Sequence, residues 1–245
     1  MKNGSYTPGY SVPVLSFMEQ RTAESHAGFF LPQLQPGWRL LDAGCGPGNI
    51  TLGLARKLSP GPVIGIDIEE SQFAKAREQA EQEGLNIEFQ VANISHLPFS
   101  DGYFDAVFSH AVLQHLTDPE AALAELRRVL KPGGLIGVRA GDMGGTLIDA
   151  EGEEAAQGLA AYLAKSEKSG GYPNIGRKLG RLLRKAGFTV EKVSASYEVI
   201  TETLRQIGPS LAAQFAVPEK EGGSDVENNL PFVALAWCEA IGRVL

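Results

Sequence analysis

The run Leu41-Asp42-Ala43-Gly44-Cys45-Gly46-Pro47-Gly48 puts three glycines at alternate positions behind an acidic residue. Glycine lets a backbone turn tightly and approach a ligand closely, so this run can form a backbone shelf. It is not the dinucleotide pattern G-x-G-x-x-G: counted from Gly44 the third glycine position is Asn49, and counted from Gly46 it is Thr51. No Gly-Lys-Ser/Thr follows, which excludes a phosphate loop. Asp67, the pair Asn93-Ile94 and the pair Ser109-His110 each close a later apolar run. A carboxylate at 67 suits both ribose hydroxyls of an adenosine. An amide at 93 can read an adenine edge while Ile68 and Ile94 sandwich the ring. Taken singly these residues read as a helix cap, a turn residue and a core histidine; together they outline one cleft for a nucleoside-bearing ligand.

Four histidines, His26, His96, His110 and His115, are the candidate bases. His96 falls in a connecting loop. His115 follows the fourth apolar run, near the expected acceptor pocket, and is the candidate catalytic residue, although core packing accounts for it as readily. Cys45 and Cys238 have no metal-ligand spacing and are too few for a disulfide framework. Cys45, between two glycines, reads as a small packing residue. No metal cluster is visible in the spacing.

The elements that must position these residues alternate. Strands are expected at 39–42, 63–67, 86–91, 104–109 and 135–140, with helices at 50–58, 71–83 and 119–130 between them. Near-continuous apolar strands separated by helices imply a parallel sheet covered on both faces, and right-handed crossovers make it doubly wound. A late helix at 176–186 leads to a sixth strand at 189–197. The tail 232–241 reads as a strand or a helix, with a strand antiparallel to the sixth the better fit. The fold class is therefore α/β, Rossmann-like, with a mainly parallel seven-stranded sheet. Residues 1–35 read as an N-terminal arm and one cap helix at 14–34, and residues 36–245 as a single domain with insertions at 141–175 and 201–230.

Composition narrows the partners. A net charge of −7 disfavours nucleic acid, and the one dense basic stretch, Arg177 to Lys185, suits the solvated face of an amphipathic helix. No run is long and apolar enough to span a membrane, and the N-terminus does not read as a signal peptide, so a cytoplasmic protein is expected. At 43% hydrophobic residues the chain can bury a substantial core.

The segments LLDAGCGPG (40–48), GID (65–67), VANISHLPFSDGYFDAVFSHAVLQHLTDP (91–119) and LRRVLKPGGLIGV (126–138) resemble the class I S-adenosylmethionine-dependent methyltransferases. The subgroup most alike includes the ubiquinone and menaquinone C-methyltransferases and many small-molecule methyltransferases. The resemblance implies that Gly44, Cys45 and Gly46 approach the methionine and ribose of S-adenosylmethionine. It implies that Asp67 binds the ribose diol and that the backbone of Ser109 and His110 faces the methionine amine. Asn93 stands where the family usually has Asp and can still accept from the adenine amine. In similar enzymes an N-terminal segment closes over the cofactor, which gives Tyr10 and Arg21 a place. Arg21 suits bidentate recognition of the methionine carboxylate, or else a surface ion pair with Glu19 or Glu24.

The implied activity is displacement of a methyl group onto an N, O or C atom of a small acceptor, driven by alignment and exclusion of water. Three alternatives stand beside it. One is C-methylation of a quinone precursor, with Phe17, Phe29 and Phe30 as an apolar pocket. Another is a cofactor-binding protein without transfer activity. The glycine spacing disfavours the third, a dehydrogenase. The oligomeric state is not legible.

Overall fold

A computed structural model describes residues 12–149, 153–200 and 232–245. Tyr10 and the insertion expected at 201–230 lie outside the described residues.

The core strands are β1 (Leu40–Ala43), β2 (Val63–Asp67), β3 (Ile87–Val91), β4 (Phe104–His110) and β5 (Leu130–Gly141), all paired in parallel. Between them lie the helices α3 (Asn49–Leu58), α4 (Ala74–Gln82) and α5 (Pro119–Val129). The expected sixth and seventh strands are β7 (Thr189–Val199) and β8 (Val233–Arg243), antiparallel to each other, with β8 lying between β5 and β7. An eighth strand, β6 (Leu147–Ile148), is a two-residue addition on β8 that its length hid from the sequence. The path runs β3-β2-β1-β4-β5-β8-β6, with β7 also on β8.

Alternate residues of each strand serve opposite layers. Leu40, Ala106, Phe108 and Leu135 pack with α3 and the N-terminal helices. Leu41, Val107, Ile136 and Val138 pack with α5 and with α7 (Leu179–Lys185). In α7 the leucines 179, 182 and 183 are buried, while Arg177 pairs with Asp142 and Lys185 with Glu120; the basic stretch is thus the polar side of an amphipathic helix.

The single cap helix expected at 14–34 is instead α1 (Val12–Glu19), α2 (Ala23–His26) and a 3₁₀ turn at Leu31–Gln33. Thr22 is the reason for the break. Its hydroxyl accepts from the Ser25 N–H and its own N–H donates to Ser25 Oγ, both at 3.2 Å, so a new helix is capped where the apolar pattern runs on. The break turns Phe30 onto the sheet, where it stacks on Phe108 with ring centroids 6.0 Å apart. Gly137 leaves the room: a Cβ there would lie 2.5 Å from the Phe30 ring. In the insertion after β5, α6 (Glu153–Lys168) packs Leu159, Tyr162 and Leu163 against a cluster containing Phe17, Met143 and Trp237.

Candidate cofactor and acceptor site

From β1 the chain moves outward through β2 to β3 and then returns to β4 on the other side of β1. The connections leaving β1 and β4 part there, and such switch points open a crevice beyond the carboxyl ends of the strands. A cavity of about 400 Å³ lies at that place, with residues from the ends of β1, β2, β3 and β4 in its wall.

The glycine run forms its floor. Gly44, Gly46 and Gly48 have φ of +85°, +51° and +83°, values that a side chain would strain. The N–H groups of Gly44 and Cys45 both donate to the Ile66 carbonyl, at 2.8 and 2.9 Å, which draws the loop over the end of β2. A Cβ on Gly44 would meet Val112 at 2.1 Å, and one on Gly46 would meet Met18 Cε at 2.8 Å. Gly44, Cys45 and Pro47 line the cavity. Burial, with Asp42 and Asp67 nearby, pushes the Cys45 thiol well above its ordinary value, which suits the packing role.

Asp67 is held by backbone. Its Oδ2 accepts from Gly46 N at 2.9 Å, and its Oδ1 from Ile68 N at 2.7 Å and Glu69 N at 3.2 Å. Burial nonetheless raises its pKa. Ile68 is half exposed at the rim although apolar, and Ile94 is buried; both line the cavity beside Asn93. Asn93 Oδ1 accepts from Ser95 N at 2.9 Å, which leaves a second lone pair. Ser109 sits behind the wall and donates to the Ala43 carbonyl at 2.9 Å, tying β4 to β1, while His110 and Ala111 face the cavity. Ala111 takes φ +58°, a conformation rare without glycine, and its N–H donates to the Arg139 carbonyl.

Arg21 and His115 are also brought to this cavity. Arg21 lies over the Phe17 ring, 5.0 Å from its centroid, and among the described residues forms neither of the ion pairs open to it with Glu19 or Glu24. His115 ends a 3₁₀ turn at Leu113–His115, and burial, then Arg21, lowers its pKa to about 4. His96 is exposed. Phe29 and Phe30 stack against each other and Phe108, and Phe17 joins the α6 cluster, so these rings do not line the cavity.

Two wall residues were given no ligand-binding role in the sequence analysis. Asp42 is buried, accepts from Thr51 Oγ1 at 2.7 Å, and has its pKa raised by burial to about 7. Its place at the end of the first strand was the available signal. Gln72, also buried, has neither amide atom in a hydrogen bond with a described residue. Nothing in its helical stretch marked it. No group of three or more His, Cys, Asp or Glu gathers as a metal site among the described residues, and no described helix is long and apolar enough to cross a membrane.

Residues 41–138 match the model of a methyltransferase domain family. An uncharacterized methyltransferase of Schizosaccharomyces pombe is 34% identical over 183 residues, which are 72% of this chain and 66% of the relative. The chain belongs to the class I S-adenosylmethionine-dependent methyltransferases. Similar folds include a putative methyltransferase from Bacillus halodurans (TM-score 0.63, 18% identity, 94% of this chain and 97% of that one). Another is the [4+2]-cyclase SpnF (TM-score 0.55, 24% identity, 94% and 79%). The chain spans half to two thirds of the length of some of the curated relatives it matches and less of others. The family's cofactor is S-adenosylmethionine, and the residues present fit it: a glycine shelf that a Cβ would fill, a backbone-held carboxylate and an orphaned buried amide converge on one cavity.

Proposed function

We propose that the protein transfers a methyl group to an N, O or C atom of a small-molecule acceptor. The observation that carries this is Asp67, fixed by three backbone N–H groups at the rim of the cavity where β1, β2, β3 and β4 end. Bound S-adenosylmethionine supplies an already activated methyl group.

In this reading the Asp67 carboxylate accepts from the ribose hydroxyls, and Gln72 offers its unused amide to the same sugar. Ile68 and Ile94 enclose the adenine, and Asn93 accepts from its amine. Gly44, Cys45 and Gly46 pass under the ribose and methionine. The backbone at Ser109 and His110 meets the methionine amine, and the Arg21 guanidinium its carboxylate. Tyr10 belongs to the arm that would cover this end. The wall beyond the cofactor, with Val112, His115 and Leu116, aligns the acceptor and excludes water, which are the terms a direct displacement needs. Burial keeps His115 uncharged at neutral pH and makes it a weak base, so its catalytic part would be to hold the acceptor by a hydrogen bond.

The test is calorimetry with S-adenosylhomocysteine followed by transfer of labelled methyl to a panel of small hydroxyl, amine and carbon acceptors. Binding with no label transferred to any of them would leave a cofactor-binding protein without transfer activity, a reading the shared fold of a cyclase keeps in view. Phe17, Phe29 and Phe30, the rings suggested for a prenyl tail, are not among the described residues that line the cavity.

A further inference from the structure

β7 closes one side of the sheet, and among the described residues no strand lies beyond it. An edge strand presents a row of unpaired N–H and C=O groups, and proteins commonly blunt such edges with short length, proline or a bulge. β7 is 11 residues long and contains neither proline nor glycine. Its irregularity lies between Val190 and Lys192, so Lys192 to Val199 runs regularly against β8.

Successive side chains of a strand alternate between its two faces. Lys192, Ser194, Ser196 and Glu198 share one face. There Ser196 donates to Glu239, and Glu198 lies 3.8 Å from Arg139, whose guanidinium lies 4.3 Å from the Trp237 ring centroid, beside His110. Val193, Ala195, Tyr197 and Val199 share the other face. Val193, Tyr197 and Val199 are each more than half exposed, and Ala195 is exposed between them. Across from Val193, Ala195 and Tyr197 stand the small residues Ala240, Cys238 and Ala236 of β8. α7 reaches the Val193 end, where a Cβ on Gly180 would lie 3.1 Å from Val193 Cγ2.

An exposed apolar row on an unpaired edge is a template for another strand. The charges of β7 point to a copy of itself. Two-fold pairs are the commonest assemblies, and their interfaces are self-complementary. Two antiparallel copies of β7 are related by a two-fold at which one residue faces itself. With Ala195 on that axis, Val193 faces Tyr197 and Lys192 faces Glu198, each twice. Aromatic with β-branched residues, and opposite charges, are favourable cross-strand pairs. Moving the axis by one residue sets Lys192 opposite Ser196, or Glu198 opposite Ser194, and the charges lose each other. Lys192 is exposed and the Glu198 side chain 21% exposed, while Glu191, the other acidic residue of β7, is engaged by Arg243. The small Ala195 at the axis leaves room for both Tyr197 rings. The two Val193 positions, with the α7 helices over them, come about 14 Å apart along the strands, more than packed helices require.

We propose that β7 pairs antiparallel with β7 of a second copy of this chain about a two-fold at Ala195, joining two sheets into one. The cofactor cavity lies at the ends of β1 to β4, so the pairing leaves it open, and the inference stands apart from the methyl-transfer reading.

Sedimentation velocity of the full chain over a concentration series is expected to show monomer passing into dimer. A single pair of strands buries little area, so the dimer is a weak one. Ala195→Lys and Ala195→Glu each set like charges face to face on the axis, and each alone should stay monomeric where the native chain is dimeric. Their equimolar mixture should dimerise again, because each side chain then faces its opposite, an outcome peculiar to this register. Ala195 is exposed, so circular dichroism should show both variants folded. A native chain that is monomeric at every concentration, a variant that dimerises alone as the native chain does, or a mixture that stays monomeric would overturn the pairing. If neither variant folds, amide exchange of β7 in the native chain decides: exchange that slows as protein concentration rises supports the pairing, and exchange independent of concentration overturns it.

Discussion

Asp67→Ala removes the group on which the cofactor assignment turns. The native carboxylate accepts three backbone N–H groups, from Gly46, Ile68 and Glu69, and in the proposed complex it also accepts from two ribose hydroxyls. Hydrogen bonds to a charged group contribute about 1.5–3 kcal/mol each. Losing the two to ribose therefore costs about 3–6 kcal/mol, which is at least about a hundredfold in affinity. Stability falls by less. The N–H groups of Ile68 and Glu69 are near the surface and can turn to water, whereas that of Gly46 loses a part-buried partner, at about 1–3 kcal/mol. Calorimetry with S-adenosylhomocysteine reads the first effect and thermal melting the second. The wild-type affinity should also decline as pH falls toward the raised pKa of Asp67, because the anion is the form that accepts from both hydroxyls; Asp67→Ala should flatten that profile. A folded Asp67→Ala protein binding S-adenosylhomocysteine with native affinity would refute the reasoning and move the cofactor away from the end of β2.

Three further outcomes follow from the same geometry. Gly46→Val should abolish binding in calorimetry, because a β-branched side chain at φ +51° strains the loop and fills space beside the cavity; native affinity in the folded variant would show that the cleft lies elsewhere. Asp42→Asn should stabilise the ligand-free protein at high pH. The folded carboxyl titrates at about 7 against an ordinary 3.8, so its contribution is intact below 3.8 and is lost as pH rises through 7. That difference corresponds to about 4 kcal/mol, and Asn can still accept from Thr51. Denaturant melts should show the gain at pH 8 and none at pH 3. Gly137→Ala should cost about 1–3 kcal/mol by overpacking, since its Cβ would sit 2.5 Å from Phe30; a neutral result would mean that Phe30 does not rest on the sheet.

The parallel half of the fold was legible because its inner strands β1, β2 and β4 are buried on both faces. Leu40-Leu41, Val63 to Ile66 and Ala106 to Phe108 are apolar runs, each closed by a polar residue, Asp42, Asp67 or Ser109, and such runs between amphipathic helices admit few topologies. The cap was misread for a local reason: the apolar pattern from Val14 to Leu34 continues through the point where Thr22 and Ser25 satisfy each other's backbone. Capping chemistry ended one helix and began another, and periodicity does not report it. The two-residue β6 carries no pattern of its own and exists because β8 offers an edge at Val233 and Ala234.

The site divides along the same line. Gly44, Gly46, Asp67, Asn93 and His110 close successive strands of one sheet, so position in sequence gives position in space. The cluster around Trp237 has no such rule. Arg139 and Glu198 lie near the ends of two strands, Trp237 within an apolar tail and His26 in a four-residue helix. Arg139, Glu198 and Trp237 have no role assigned from sequence. They meet because β8 inserts between β5 and β7, setting Arg139 opposite Glu239 and Ser196 opposite Trp237, and because the break at Thr22 swings His26 onto that face. Burial then changes what each side chain is: Arg139 has its pKa lowered to about 10, first by desolvation, and the imidazole of His110 is kept uncharged. A methyltransferase domain must hold its cofactor in much the same way whatever it methylates, so the cofactor's residues follow the strands. The residues around Trp237 follow no such rule, because strands distant in sequence bring them together.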